Sequence, residues 1–466
     1  MARPQSSIGF QTVVSYPRNS QTPIRRHADT PIRPYVSPRR PILNATVSHN
    51  MRDGTLDLAW NIRAARIQNR IDTLASITDE SGMITRTFLS PAMQKANQLV
   101  AEWMREAGLA TAEDRVGNLV GQSAADPGAP VFLLGSHLDS VRNAGRFDGP
   151  LGVLLAIEAA DILRSNSVEM PFSLAVVGFS DEEGVRFQNG YIGSKAFCGL
   201  LTPNELAMQD RNGLTLRQVL EFRNGAGFVL SQPTLLPGRI IGYLEVHIEQ
   251  GPVLEHEGLQ LGVVTAIAGQ SRSRLTWTGK ASHAGTTPVS LRRDALSGAA
   301  AFIREVEVAS EKFTGLMATV GQLHVEPNVT NVVPERVVHS LDVRHQEDSV
   351  RNEASAWLTQ RAGELSAARR LAFAWETLQV TEAKKCDTDL SRKLLEAVET
   401  VTGSARRLPS GAGHDAAILA TLFPAAMLFV RCRDGLSHHP DEFVSLEDIR
   451  AALQVTVELL SSWESI

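Results

Sequence analysis

The sequence predicts an α/β protein of two domains. One has a mostly parallel sheet flanked by helices; the other is an inserted α+β unit with a four-stranded sheet and two helices. Three observations predict this. The chain has 466 residues, too many for one ordinary hydrophobic core. Short apolar runs alternate with helical patterns between Val131 and Phe179, the pattern of parallel strands covered on both faces. From about Gly269 to Glu382 the pattern changes to longer alternating segments, and the first style resumes near residue 384. The expected division is 55–267 with 384–466 for the first domain and 268–383 for the insertion.

Taken in order, Ile67, Ile71 and Leu74 recur at helical spacing, with regular structure expected from near Leu56. A second helix is bounded by Ser90 as N-cap, Pro91 at the first helical position and Gly108 past the end. Residues 131–134 read as a buried strand, 152–163 as a helix and 173–179 as the next strand. Within the insertion, 274–279 and 337–344 alternate as strands and 292–309 reads as a helix. After it, 390–401 reads as a helix and 426–430 as a strand. In such sheets, ligand sites gather at the C-terminal ends of the strands.

The first 50 residues stand apart. They carry seven Arg, seven Pro and one acid, Asp29, with neither Lys nor Glu. No apolar stretch follows the basic residues, which argues against a secretory signal. The Arg-rich, acid-poor composition is similar to that of an organelle transit peptide, but seven prolines suit an amphipathic helix badly. Residues 1–54 are expected to be a disordered extension. Over the whole chain 43% of residues are hydrophobic, 21% are charged, and the formal net charge is -5. A nucleic-acid binder would need a basic face, and a membrane span needs roughly 18 apolar residues in a run; neither partner is expected. Cys198, Cys386 and Cys432 are far apart and form no CxxC pair. That opposes a thiolate zinc site and a disulfide framework, and points to a reducing cytoplasm. Any metal must then be held by histidines and carboxylates.

Four short stretches carry that chemistry. GSHLDSVRNAGRFDGP, residues 135–150, sets His137 just after a strand and Asp139 two residues on, where it can orient the imidazole. Asp148 arrives through a loop that Gly145 and Gly149 let fold back. FSDEEGVRF, residues 179–187, follows another strand. Its adjacent Glu182 and Glu183 would repel unless nearby cations hold them ionised; one can bind metal while its neighbour faces the bound water. LEVHIEQGP, residues 244–252, places His247 among alternating apolar residues, and DGLSHHPDE, residues 434–442, brings His438 and His439. Each piece alone is weak, since a lone strand histidine is usually structural and paired acids usually form a solvated face. Jointly they fall where strands give way to loops. Mixed His and carboxylate donors suit zinc, manganese or cobalt rather than calcium.

The runs GSHLDSVRNAGRFDGPLGV, DEEGVRF, HIEQGP, SHAGTTP, NVTNVVP and SGAGHDA, in this order, resemble the amidase, hydantoinase and carbamoylase family of di-zinc exopeptidase-like enzymes. The resemblance covers roughly residues 60–465. It implies two divalent ions per subunit, zinc or manganese, with cobalt a further candidate. His137, Asp148 and His247 would hold one ion; Asp148, Glu183 and His438 would hold the other, with Asp148 bridging. It implies Glu182 as general base and His283 of ASHAGTTP as an oxyanion donor, a group that often reaches across a dimer. Asn331 and Arg344 would clamp a substrate carboxylate, which a guanidinium fork suits. Gln250, Gly413 and His414 would be further substrate contacts. The inserted domain would dimerise and close over the site, making a homodimer. His324, His345 and His439 read as structural or solvated, Cys198 as core and Cys432 as inert.

The implied reaction is metal-dependent hydrolysis of the ureido C–N bond of a small carboxylic acid. Allantoate and an N-carbamoyl-L-amino acid are the candidates, with ammonia and carbon dioxide released. Several members of the family have a Pro-Ser pair before the last metal loop. Arg431 and Cys432 stand there in this chain, a version similar to the allantoate branch. Two other readings stay open: an aminoacylase or dipeptidase on the same scaffold, and a non-catalytic binding protein. HIEQGP and TNVVP oppose the first. The presence of all five donors with Glu182 opposes the second.

Overall fold

The computed structural model describes residues 53–124, 128–225, 236 and 238–463. The extension expected over 1–54 therefore lies almost wholly outside the described residues.

The helix Asp53–Ala75 buries Ile67, Ile71 and Leu74, as their spacing requires. The helix Pro91–Glu106 has the ends written in its sequence. Ser90 Oγ accepts from Met93 N at 3.1 Å, and Pro91 sits in the first turn, where its missing N–H is no loss. Gly108, just past the end, takes φ +82°.

The chain then builds β1 (Ala110–Glu113), β2 (Leu119–Gln122), β3 (Val131–His137), β4 (Ser173–Phe179), β5 (Ile240–Ile248) and β6 (Leu261–Ile267). Next come β7 (Gly269–Thr278), β8 (Ser282–His283), β9 (Met317–Thr319), β10 (Leu323–Glu326), β11 (Val332–Val333), β12 (Arg336–His345) and β13 (Ala372–Thr381). It closes with β14 (Lys384–Lys385), β15 (Arg407–Ser410) and β16 (Ala425–Val430). One sheet has the order β1-β2-β4-β3-β5-β16-β6-β14, with β15 beside β6. Its centre, β4-β3-β5-β16, is parallel. The flanking strands β1 and β2 on one side, and β6 and β14 on the other, join antiparallel. Parallel neighbours need a crossover, which the helix Pro150–Ser165 supplies between β3 and β4.

Side chains alternate along β3, so both faces must be covered. Phe132 and Leu134 pack into the larger core with residues of Asp53–Ala75, Pro150–Ser165 and the helix Leu446–Ser461. Val131 and Leu133 pack on the other side with Tyr243, Leu254 and Leu419. Burying each Leu or Phe side chain in this way contributes roughly 1.5–3 kcal/mol. It also explains why these strands read as unbroken apolar runs.

The chain leaves this sheet after Ile267 and returns to it with Lys384. Between them stands a fully antiparallel sheet of order β10-β12-β7-β13, with the three-residue β9 added beside β12. The four expected strands thus gain a short fifth. The helices Ala295–Lys312 and Asp348–Arg369 cover one face, where Trp277, Leu341 and Val343 meet Phe302 and Leu358. Burial alternates along β12, so Asp342 and Arg344 share the opposite face. The strands β8 and β11 form a separate two-stranded ribbon. Among the described residues, no helix is long and apolar enough to cross a membrane.

Candidate metal centre

The strand β3 runs three residues beyond its predicted apolar segment, so His137 is its last residue rather than the first of a loop. His247 is the penultimate residue of the adjacent β5. The two imidazoles therefore lie side by side, their Nε2 atoms 3.5 Å apart. The loop carrying Asp148 folds against them. Gly149 has φ +82°, and a Cβ there would stand 2.6 Å from the His137 ring, so this turn requires glycine. At Gly145 a Cβ would lie 2.3 Å from Glu442. That space lets Glu442 Oε1 accept from Phe147 N at 2.6 Å and Asp148 N at 3.0 Å.

Asp148 divides its two oxygens. Oδ1 lies 3.2 Å from His137 Nε2 and 3.1 Å from His247 Nε2. Oδ2 lies 3.4 Å from His438 Nε2, which is also 3.4 Å from Glu183 Oε1. Each set of three offers donor atoms within 4.8 Å of one another, and so do His137, Glu182 and Glu183. A tetrahedral ion with bonds of about 2.0–2.1 Å separates its donors by about 3.3–3.4 Å. The spacing fits two divalent ions with Asp148 between them.

The charges fit as well. Burial pulls the His137 imidazolium down, but Asp139 and Asp148 outweigh it and hold its pKa well above the usual value. His247 is raised against the same burial, chiefly by Asp148. Burial pushes the Glu182 carboxyl well above the carboxylate range; His137 opposes this and Glu183 adds to it. Burial, then Asp148, pushes Glu183 up to about 8. Glutamates and imidazoles raised together around an Asp148 held well below the carboxylate range mark a buried cluster that favours added positive charge, which bound cations would supply.

Asp139 does more than orient an imidazole. Its Oδ1 lies 3.5 Å from His137 Nδ1, while its own carbonyl is closer, at 3.1 Å. The carboxylate chiefly accepts from Glu182 N at 3.0 Å and Glu183 N at 3.2 Å. It thereby fixes the turn that aims both glutamates. Gln250 Nε2 donates to Asp148 Oδ2 at 2.8 Å and to Ser437 Oγ at 3.1 Å, and Ser437 Oγ donates to the same Oδ2. Gln250 Oε1 is buried with no protein partner among the described residues. Gln250 and His438 both hold φ +56°, a left-handed backbone that costs of order 1–3 kcal/mol at a non-glycine residue.

His414 is buried edge-on against the His247 ring at 4.5 Å, and its Nε2 meets Ser410 Oγ at 2.8 Å. Burial, then His247, holds its pKa well below the usual value. Gly413 lies against Tyr191, whose hydroxyl would stand 1.8 Å from a Cβ there. Arg344 reaches from β12 to the Gly411 carbonyl at 2.7 Å. His283 on β8 and Asn331, just before β11, are exposed. Among the described residues, no hydrogen bond, ion pair or ring contact joins either to the five donors. His283 Nδ1 accepts from Gly285 N at 3.1 Å and Thr286 N at 3.2 Å, which leaves Nε2 as the donor. His345 is bonded to Thr314 O and Glu347 N. Burial pushes the Cys198 and Cys432 thiols up to about 12.

The motifs do not single out several residues that build the site. Ser437 and Glu442 sit inside a quoted run but look like ordinary polar neighbours. Glu245 is the one charge in the apolar strand β5, a readable signal. It accepts from Ser136 Oγ at 3.1 Å, Tyr243 Oη at 3.2 Å and Ala416 N at 2.8 Å, tying to β5 the helix Asp415–Leu419 that follows the 411–414 loop. Arg86 is fully buried and bonds the carbonyls of Leu138, Leu74 and Ile77 at 3.1, 3.2 and 3.3 Å. Nothing in the sequence distinguishes it from a surface arginine.

A parallel sheet bearing a two-ion donor set at its strand ends, with an antiparallel insertion, defines a class of metallohydrolase scaffold. The profile of Peptidase family M20/M25/M40 matches residues 133–462, and the chain belongs to that family. It is 40% identical to the N-carbamoyl-L-amino acid amidohydrolase of Geobacillus stearothermophilus, over 84% of this chain and 97% of that one. It is 36% identical to allantoate deiminase 2 of Glycine max, over 84% and 88%. Its fold is similar to the crystal structure of an amidase of the hydantoinase/carbamoylase family from Burkholderia multivorans. The TM-score is 0.80 at 34% identity, over 85% of this chain and 97% of that one.

Proposed function

We propose that this protein is a metal-dependent amidohydrolase that cleaves the ureido C–N bond of a small carboxylic acid, allantoate or an N-carbamoyl-L-amino acid. The observation that carries the reading is the division of Asp148 between two donor sets with Glu182 alongside. His137, Asp148 and His247 would hold one ion, and Asp148, Glu183 and His438 the other. Zinc or manganese suits these donors, with cobalt a further candidate. When bound, such ions lower the pKa of a water to about 7 and polarise the carbonyl under attack. Glu182 takes the proton from the attacking water and returns it to the leaving nitrogen. Asp139 keeps Glu182 and Glu183 in register. Gln250 Oε1, unpartnered within the protein, is the acceptor for a substrate N–H. Gly413 and His414 shape the wall beside His247, and Arg344 with Asn331 binds the substrate carboxylate.

The division into a catalytic domain, 55–267 with 384–466, and an insertion, 268–383, follows the change of sheet. The insertion makes the homodimer. Its edge strand β13 has no outer strand partner among the described residues and exposes Leu378 and Val380, at 51% and 57%. His283, exposed and apart from the donor set of its own chain, acts on the other subunit's site as oxyanion donor. The cytoplasm suits three free cysteines. The test is ammonia release from allantoate and N-carbamoyl-L-amino acids by protein loaded with zinc or manganese. Release from either supports the reading. No release from either, with two ions per subunit confirmed by elemental analysis, refutes it. Faster turnover of N-acetyl amino acids would reassign the protein as an aminoacylase.

A further inference from the structure

We infer that Asp342 is a positioning residue that sets substrate specificity by holding one edge of the Arg344 guanidinium, leaving its end-on edge for the substrate carboxylate. The inference rests on the reading of Arg344 as the carboxylate clamp. Asp342 and Arg344 are two apart on β12, so both project from the face away from the helices. Asp342 Oδ1 accepts from Nε at 2.9 Å and Oδ2 from Nη2 at 3.0 Å, a bidentate side-on pair. The edge between Nη1 and Nη2 remains for a second carboxylate, with the Gly411 carbonyl on Nη1 at its rim. An arginine has five N–H groups in one rigid plane. Fixing one edge therefore fixes the direction of the other.

Asp342 is itself held. On the neighbouring β7, Arg272 lies opposite Asp342 and Gln270 opposite Arg344. Gln270 Nε2 donates to Asp342 Oδ2 at 2.5 Å, and Arg272 Nε lies 3.4 Å from it. Two arginines against one aspartate leave this face one positive charge in excess, matched by one substrate carboxylate. Arg344 and Asp342 are 31% and 26% exposed, so a small ligand can reach the pair. Without Asp342, the arginine regains rotamer freedom that it must lose again on binding. That freedom converts to about 10- to 30-fold in affinity.

The test compares N-carbamoyl-L-alanine with its uncharged carboxamide on the metal-loaded parent protein, Arg344→Ala, Asp342→Ala and Asp342→Asn. The parent prefers the acid, and Arg344→Ala loses that preference. Asp342→Ala loses it about 10- to 30-fold, through KM for the acid rather than through kcat. Asp342→Asn, which keeps the shape and one acceptor, falls between and serves if the alanine variant folds poorly. Three results overturn the inference: an unchanged preference in both Asp342 variants, a lower KM for the acid in either, or an unchanged preference in Arg344→Ala. Lack of turnover of every ureido acid by the parent protein refutes the ureidohydrolase reading itself. A preference lost in Arg344→Ala but kept in the Asp342 variants refutes only the role of Asp342.

Discussion

Asp139→Asn is the sharpest probe of how this site is built. The substitution hardly changes volume and removes none of the five donor side chains. In the folded protein one carboxylate accepts from Glu182 N and Glu183 N at 3.0 and 3.2 Å, and the residue is 1% exposed. An asparagine has one acceptor oxygen. It satisfies one N–H and turns its own NH2 toward the other. A charge-assisted hydrogen bond contributes about 1.5–3 kcal/mol, and a stranded buried donor costs about 1–3 kcal/mol. A net loss of about 2–4 kcal/mol falls on the turn that aims the base and one metal ligand. If that turn is held only in the productive geometry, kcat/KM drops about 30- to 1000-fold. The assay is ammonia release under saturating zinc or manganese, with metal content and circular dichroism in parallel. A variant within about threefold of the parent in kcat/KM, with both ions bound, would show that the turn holds without Asp139.

Three further outcomes follow from the same geometry. Glu182→Gln keeps the two ions, because the five donors remain, and loses kcat by about 10²-fold or more; elemental analysis beside turnover checks both halves, and unchanged turnover removes Glu182 as base. Metal-free protein loses stability as pH rises from about 5 to 8. Glu183 at about 8 and Glu442 at about 7 hold protons that the unfolded chain has already released, and wherever the folded state holds more protons, raising the pH favours unfolding. His137 and His247, raised above their ordinary value, act in the same sense. Melting curves across that range, without metal and with saturating zinc, check this, and a flat or rising metal-free Tm contradicts it. Mixing inactive His283→Ala with inactive Glu182→Gln restores part of the activity if His283 serves the opposite subunit; no recovery in a confirmed mixed dimer places His283 in its own chain's site.

Much of the catalytic domain was legible because its chemistry follows backbone periodicity. The strand predicted at 173–179 is β4 as observed, and Ser90, Pro91 and Gly108 bound their helix as expected. His137, the two glutamates and His247 stood at strand ends that an apolar run announces. The insertion was harder. Its helix Asp348–Arg369 buries Arg351, Ala354, Leu358, Ala362 and Ser366, a stripe with a single large apolar residue, so the helical period hardly shows. The short β9 leaves even less to read. Supporting groups were missed for another reason. Glu442 and Asp148 are 294 positions apart, and their bond depends on a tertiary approach that no local pattern records. Arg86 satisfies three backbone carbonyls, partners that carry no side-chain signature.

The same contrast separates the chemistry of this protein from its specificity. The donors rest on β3, β5 and the loops after β3, β4 and β16 of one sheet, so their spacing is set when that sheet forms. Arg344 and Asp342 rest on a different sheet, and Arg344 reaches back to the Gly411 carbonyl. That carbonyl belongs to the 411–414 loop, and Glu245, two residues from His247 on β5, accepts from Ala416 N in the helix Asp415–Leu419 that follows this loop. The proposed carboxylate site and the proposed metal site are therefore linked through one loop and the helix after it. A substitution at Glu245 would shift both at once, whereas one at Asp342 shifts only the first. This is why discrimination between acid and carboxamide, rather than turnover alone, resolves the two halves of the site.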